Sequence, residues 1–177
     1  MFQLNTPNLV LCEFNENDAE LTLKLLNDTD FLRNIGDRAV RNLEQARKYI
    51  QDGPLTMYRE HNFGLYKVKL KNGTGIGTCG LIKREGLDDV DIGFAFLPEH
   101  RGKGYALEAS RAIMRHAYKT LGLERIVAIT LPNNTPSVKL LERIGLRAEG
   151  KVILPGEHKE LLLMAWEAKT NCSFEIE

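Results

Sequence analysis

His100-Arg101-Gly102-Lys103-Gly104-Tyr105-Ala106 sets two glycines among basic and aromatic residues, just before a helix-forming run. A helix start carries free backbone N–H groups and a partial positive charge. Glycines ahead of it leave the backbone bare, so an anion can approach; this is the chemistry of phosphate binding. Gly102 and Gly104 would supply the bare backbone, Arg101 and Lys103 the charge, and Ala106 a slim first turn. The competing reading is a flexible strand-to-helix connection with solvated basic residues. A second glycine string, Gly75-Ile76-Gly77-Thr78-Cys79-Gly80, fits G-x-G-x-x-G literally. A dinucleotide fingerprint must follow a strand and open a helix. This string follows the Asn72-Gly73 turn and runs into Leu81-Ile82 with no helical pattern. It reads as a strand whose glycines mark a bulge or a close backbone approach.

The elements that must hold the loop follow from periodicity. Residues 8–14 read as a strand, and Asn15 to Asp18 offer caps for a helix over Ala19–Leu26. A second helix is expected over 42–52, capped by Asn42 with Gln45 at capping-box spacing and stopped by Gly53-Pro54. Residues 62–70 and 75–82 form a hairpin across Asn72-Gly73. A strand over 91–98 leads into the glycine loop, and a long helix runs from there to Leu121, closed by Gly122. Residues 125–131 are apolar on both faces, as a central strand is. Thr135 is expected to cap the next helix with Pro136 at its first position. A last strand pair spans Pro155-Gly156. The pattern predicts one α+β domain over 1–168, with a mostly antiparallel sheet, one strand–helix–strand crossover and a solvated tail over 169–177.

The 177 residues suit one domain with a sizeable core. Lys+Arg and Asp+Glu both number 24, a balance that argues against general nucleic-acid or anionic-membrane binding. No apolar run approaches the ~20 residues of a membrane helix, and the start lacks the pattern of a signal peptide. Cys12, Cys79 and Cys172 are scattered, and the four histidines have no ligand-like spacing. No disulfide framework and no metal site are expected, and the compartment expected is cytoplasmic.

Three motifs carry a family resemblance. Arg101-Gly102-Lys103-Gly104-Tyr105-Ala106 is similar to the R/Q-x-x-G-x-G/A motif of the GNAT acetyltransferases. Asn134-Thr135-Pro136-Ser137, followed by Leu140-Leu141-Glu142-Arg143-Ile144-Gly145-Leu146, resembles a segment of the RimJ/RimL-like branch. So do Leu9-Val10-Leu11 with Asp18, and Ile35-Gly36-Asp37-Arg38 followed by Glu44, Ala46, Tyr49 and Ile50. The likeness spans roughly 8–167. It departs at Cys12-Glu13, where the branch often has Arg, and at Leu141, where many GNAT enzymes place a proton-donating Tyr.

The resemblance implies a three-layer fold whose mixed sheet has a splayed central strand pair, opened by a bulge, between flanking helices. It implies acetyl-CoA as cosubstrate, no metal, and direct transfer of acetyl to a primary amine. The pyrophosphate would sit on the backbone of 102–106 with Arg101 and Lys103 beside it. The pantetheine arm would lie along the strand ending at Phe96 and Leu97, with a backbone N–H near Phe96 facing the thioester carbonyl. Asn134 would contact the ligand if Thr135 is the cap; otherwise it is turn chemistry, for which Asn133 competes. Ser137, in the first helical turn, would hydrogen-bond the departing sulfur. The attacking amine must lose a proton, so a base is needed. Glu85, Asp88, Asp89, Asp91, Glu157 and Glu160 are the candidates. Cys79 reads as core. The branch suggests a protein N-terminal amine as acceptor; small-molecule amines are the other option, and 28–41 would form part of the acceptor wall. A non-catalytic acyl-CoA sensor on the same fold is the alternative function. Monomer and homodimer both stay open.

Overall fold

The computed structural model describes residues 1–169, so most of the tail expected over 169–177 lies outside the described residues, as does Cys172. Eight strands form one sheet there. They are β1 (Gln3–Asn5), β2 (Leu9–Cys12), β3 (Leu65–Leu70), β4 (Gly75–Ile82), β5 (Asp91–Phe96), β6 (Arg125–Thr130), β7 (Arg147–Val152) and β8 (Leu161–Glu167). Their order is β1-β2-β3-β4-β5-β6-β8-β7, and β5–β6 is the parallel pair in an otherwise antiparallel sheet.

Helices cover both faces. On one side lie α1 (Ala19–Leu26), α2 (Thr29–Asn34) and α3 (Leu43–Ile50), packed through Ala19, Leu26, Phe31, Val40 and Ala46, while α4 (Thr56–His61) sets Met57 and Tyr58 against the main core. The crossover helix α5 (Tyr105–Lys119) and α6 (Thr135–Arg143) cover the other side. There Ala109, Ile113 and Leu141 join Cys79, Ile92 and Met164 in the main core. Cys79 is fully buried against the Ser110 hydroxyl, and burial pushes its thiol up to about 12, so it packs as an inert core residue.

Two expectations about α3 need correction. Asn42 caps α3 by accepting the Gln45 N–H (2.9 Å), but Gln45 Oε1 reaches one residue further back, to the Arg41 N–H (2.7 Å). Gly53-Pro54 does not stop the helix. A wide π-turn over Gln51–Leu55 absorbs Pro54, and α4 continues from it. Pro54 has no N–H to give, and the wider turn relieves its ring's clash with the preceding turn. Thr56 Oγ1 then donates to the Gln51 carbonyl (2.9 Å). The sequence reading also missed β1 and α2. Asp28 starts α2 by accepting the Phe31 N–H (3.1 Å).

The literal G-x-G-x-x-G string is β4, and its glycines permit close strand packing. A Cβ on Gly80 would lie 2.1 Å from the Gly64 carbonyl oxygen and 2.8 Å from Leu65 Cα. One on Gly77 would lie 2.5 Å from the Ala95 carbonyl oxygen. At Gly75 the β3–β4 register shifts. Backbone cannot yield as a side chain can, so Gly80→Ala is expected to destabilise the fold by about 3 kcal/mol. Urea unfolding of the variant measures the loss.

Candidate active site

Between β5 and β6 the sheet opens. Their register holds one pair, Asp91↔Val127, supported by the Val127 N–H on the Val90 carbonyl (3.0 Å). Beyond it the strands part, as the splayed-pair expectation required. No bulge does this: the β4–β5 register runs without a shift from Gly77↔Phe96 to Ile82↔Asp91. The Leu97 N–H bonds the Ile76 carbonyl (2.9 Å), so alternation turns the N–H groups of Phe94 and Phe96 away from β4 and into the gap. The gap widens into a cavity of about 1340 Å³ that runs from the glycine loop to the face covered by α1–α4.

The glycine loop forms one end. Gly102 and Gly104 have φ of +71° and +83°, and an added Cβ at either meets no atom within 4 Å. Their hydrogen side chains therefore serve backbone conformation and open space, and relieve no internal contact. Gly104 occupies the α5 N-cap position with no side-chain cap. The first intrahelical bond is the Glu108 N–H on the Gly104 carbonyl (3.0 Å), so the first-turn N–H groups of α5 stay unoccupied by the helix. These observations fit a phosphate-bearing ligand.

The basic residues of the loop have partners within the chain. Arg101 donates from Nε to the Phe96 carbonyl (2.9 Å) and pairs with Asp28 (2.5 Å) and Asp30 (2.6 Å). Its charge is thus matched by α2, and its role in this arrangement is to tie the loop to that helix. Lys103 turns back to the Glu99 carbonyl (2.9 Å) and does not line the cavity. Leu97 also lies off it: buried, it lines a small separate cleft with Asp18 and Lys67. Phe96, Arg101, Gly102, Gly104, Tyr105, Ala106, Asn134 and Ser137 all line the cavity.

On the β6 side, the cap assignment is corrected. Asn134, not Thr135, caps α6; its Oδ1 accepts the Ser137 N–H at 3.4 Å, and Pro136 stands at the second helical position. The bond is long because Asn134 sits at φ −81°, ψ 72°, off the extended backbone of a regular cap. Its amide nitrogen has no acceptor among the described residues and faces the cavity wall with Asn133. Leu141, which stands where many GNAT enzymes have a Tyr, is 1% exposed and belongs to the main core while also lining the cavity.

The far end is polar. Asp91 is buried on the wall and held by Arg84 through Nε and one terminal nitrogen, both at 3.0 Å. Burial pushes its carboxyl up, and Arg84 opposes that shift. Of the other carboxylates considered as a base, Asp89 is held by Arg125, Glu160 pairs with Lys151, and only Glu157 also lines the cavity. Burial likewise raises the Tyr49 hydroxyl, against the Arg38 and Arg84 charges. Thr22 lines the same cavity, and its hydroxyl is buried with no partner among the described residues. Sequence reading missed Thr22, Arg84 and the α6 cations Lys139 and Arg143. Lys139 and Arg143 stand four apart on α6, which could have been noticed; Arg84 and Thr22 carry no local signal.

A splayed mixed sheet with a bare helix start at its open pair defines an acyltransferase fold. The comparisons agree: residues 8–147 match the model of the acetyltransferase (GNAT) domain, and the chain belongs to that family. It is 31% identical over 153 residues to p20 of Bacillus licheniformis, an uncharacterized N-acetyltransferase, with 85% of each chain covered. It is 28% identical over 107 residues to the [ribosomal protein uS5]-alanine N-acetyltransferase of Escherichia coli, covering 58% of this chain and 55% of that one. In fold it is similar to RimL, a ribosomal L7/L12 alpha-N-protein acetyltransferase solved with coenzyme A. The TM-score is 0.81, at 18% identity over 94% of this chain and 98% of that one. The protein is therefore an acyltransferase enzyme, with a ribosomal-protein N-acetyltransferase among its relatives. No helix among the described residues is long and apolar enough to cross a membrane, and no cluster among them could hold a metal.

Proposed function

We propose that the protein transfers acetyl from acetyl-CoA directly to a primary amine that enters from the α1–α4 face. The observation that carries this is the coincidence of a bare helix start with a strand gap whose free N–H groups face one continuous cavity. Acetyl-CoA would supply the activated acetyl group as a thioester. Gly102, Gly104 and the first turn of α5 would hold its pyrophosphate, and Lys139 and Arg143 add charge on the facing helix. The Phe94 and Phe96 N–H groups would pair with the amide-rich arm or the thioester carbonyl. Asn134 would orient the arm through its free amide nitrogen. Asp91, the buried carboxylate of the wall, would take the proton from the attacking amine, directly or through water. RimJ/RimL-like kinship makes a protein N-terminal amine one acceptor to test beside small amines.

Ser137 would hydrogen-bond the departing sulfur as its charge develops. Ser137→Ala is expected to lower kcat about tenfold with little change in acetyl-CoA binding, the effect of one hydrogen bond to a forming charge. Steady-state release of free thiol, with calorimetric titration of acetyl-CoA alongside, tests the assignment. An unchanged kcat removes Ser137 from the mechanism.

A further inference from the structure

Resting on that reading of the site, we propose that Arg38, Tyr49 and Arg84 form a carboxylate-recognising end of the acceptor chamber. The acceptor is then an amine that bears a carboxylate close to its amino group.

Charge matching around the cavity points there. Three of its four lining carboxylates are already paired: Asp28 and Asp30 with Arg101, and Asp91 with Arg84. Arg33 is also engaged with Asp30. Glu157 stands apart on the exposed β7–β8 connection. Arg38 lines the same chamber, and no carboxylate pairs with it among the described residues. Arg84 uses two nitrogens on Asp91, and its third has no acceptor among the described residues. Tyr49 brings a hydroxyl close to both guanidiniums: Arg38 hydrogen-bonds its oxygen, and the Arg84 charge also acts on it. Arg38 without a carboxylate, the third nitrogen of Arg84 and the Tyr49 O–H leave donors over in one place, and guanidinium geometry suits a carboxylate.

The backbone is built to present Arg38. Ala39 adopts φ +56°, a left-handed conformation that residues with a Cβ seldom take. It is held by Asp37 Oδ1, which accepts the Ala39 N–H (2.7 Å), while Asp37 Oδ2 accepts from Arg41 (2.5 Å). Asn27 donates to the Val40 carbonyl (2.8 Å) and accepts from Arg41 (3.0 Å). The side chains of Asp37, Arg41 and Asn27 thus fix one strained turn next to Arg38. The buried Thr22 hydroxyl, which lines the same cavity with no partner among the described residues, is a second sign that a polar ligand completes the chamber. Asp91 lies beside Arg84, so an amino group near the base and a carboxylate near the guanidiniums sit a short distance apart, as in an α-amino acid.

The carboxylate has two sources: the α-carboxylate of a free amino acid, or the side chain of an acidic residue at a peptide N-terminus. Thiol release is measured with free amino acids against their amides, and with Asp- and Glu-initiated peptides against Asn- and Gln-initiated ones. One pair set is expected to favour the carboxylate by about tenfold or more in kcat/KM, and which set does so names the source. In Arg38→Gln, whose side chain lies outside the core, that ratio falls toward one through KM. Equal rates within both pair sets, or a preference that survives Arg38→Gln, overturn the proposal. Calorimetry of N-acetyl amino acids and their amides against CoA-loaded protein gives a readout free of turnover. Carboxylate-dependent binding lost in Arg38→Gln, with no amine acetylated, would sustain the anion site and sink the transferase reading. Acetylation without any such dependence does the reverse, and absence of both sinks the site too.

Discussion

Gly104→Glu is expected to abolish binding of acetyl-CoA while the protein stays folded. The side chain would project where an added Cβ now finds no atom within 4 Å, at the start of α5. It would place bulk and a negative charge where the pyrophosphate needs bare N–H groups and positive potential. The backbone cost must be separated from the electrostatic one, because φ there is +83° and a residue with a Cβ is strained by about 1–2 kcal/mol. Gly122→Glu supplies the control. Gly122 also has positive φ (+69°) and open space around it, but lies past the other end of α5. Both variants should lose similar thermal stability, and only Gly104→Glu should lose the calorimetric signal, a fall of at least about a hundredfold from the loss of several charge-assisted hydrogen bonds. Equal binding by wild type and Gly104→Glu would detach the glycine loop from phosphate binding. No binding by the wild type would sink the acetyl-CoA reading.

The parts of this site legible in the sequence are those fixed by local backbone physics. Two glycines before a helix, a β-branched central strand and an Asn-Gly turn each encode their conformation within a few residues. β4 was bounded correctly from its pattern alone, and the reason for its glycines, close backbone approach, is the one the structure gives. Less legible is what depends on partners far along the chain. The sequence reads Arg101 as a phosphate neighbour and gives no sign of its pairing with Asp28 and Asp30, which lie more than 70 residues away. Thr135-Pro136 read as cap and first turn because Ser and Thr caps before Pro are common. The choice of Asn134 shifts everything by one residue and leaves only its amide nitrogen for a ligand. α2 was missed because it spans six residues, Thr29–Asn34, too few for periodicity to show. Arg84 sits in a segment that reads as a solvated turn; only the fold brings it against Asp91 and near Tyr49.

Asp91→Asn is the sharpest probe of the chemistry. The substitution keeps the shape and one acceptor for Arg84 while removing the charge. A lost general base costs about 10²–10⁴-fold in kcat. Glu157→Gln, the other lining carboxylate of the original set, should cost little. A purely structural Asp91 would also lower activity if the wall shifted, so the pH profile decides. The base works ionised, and kcat must therefore fall as pH drops through its pKa. Burial raises that pKa above the ordinary value of 3.8, which brings the fall to higher pH than a free carboxylate would show. Arg84 opposes the rise, so Arg84→Gln should carry the acidic limb further upward. In Asp91→Asn that limb should vanish, leaving a low and flatter profile set by the amine. Retention of the limb in Asp91→Asn, with unchanged thermal stability, would move the base elsewhere, and loss of it in Glu157→Gln would place it on the hairpin. Opposite movements in the two core variants, a limb shifted up without Arg84 and erased without Asp91, are what a structural pair could not produce.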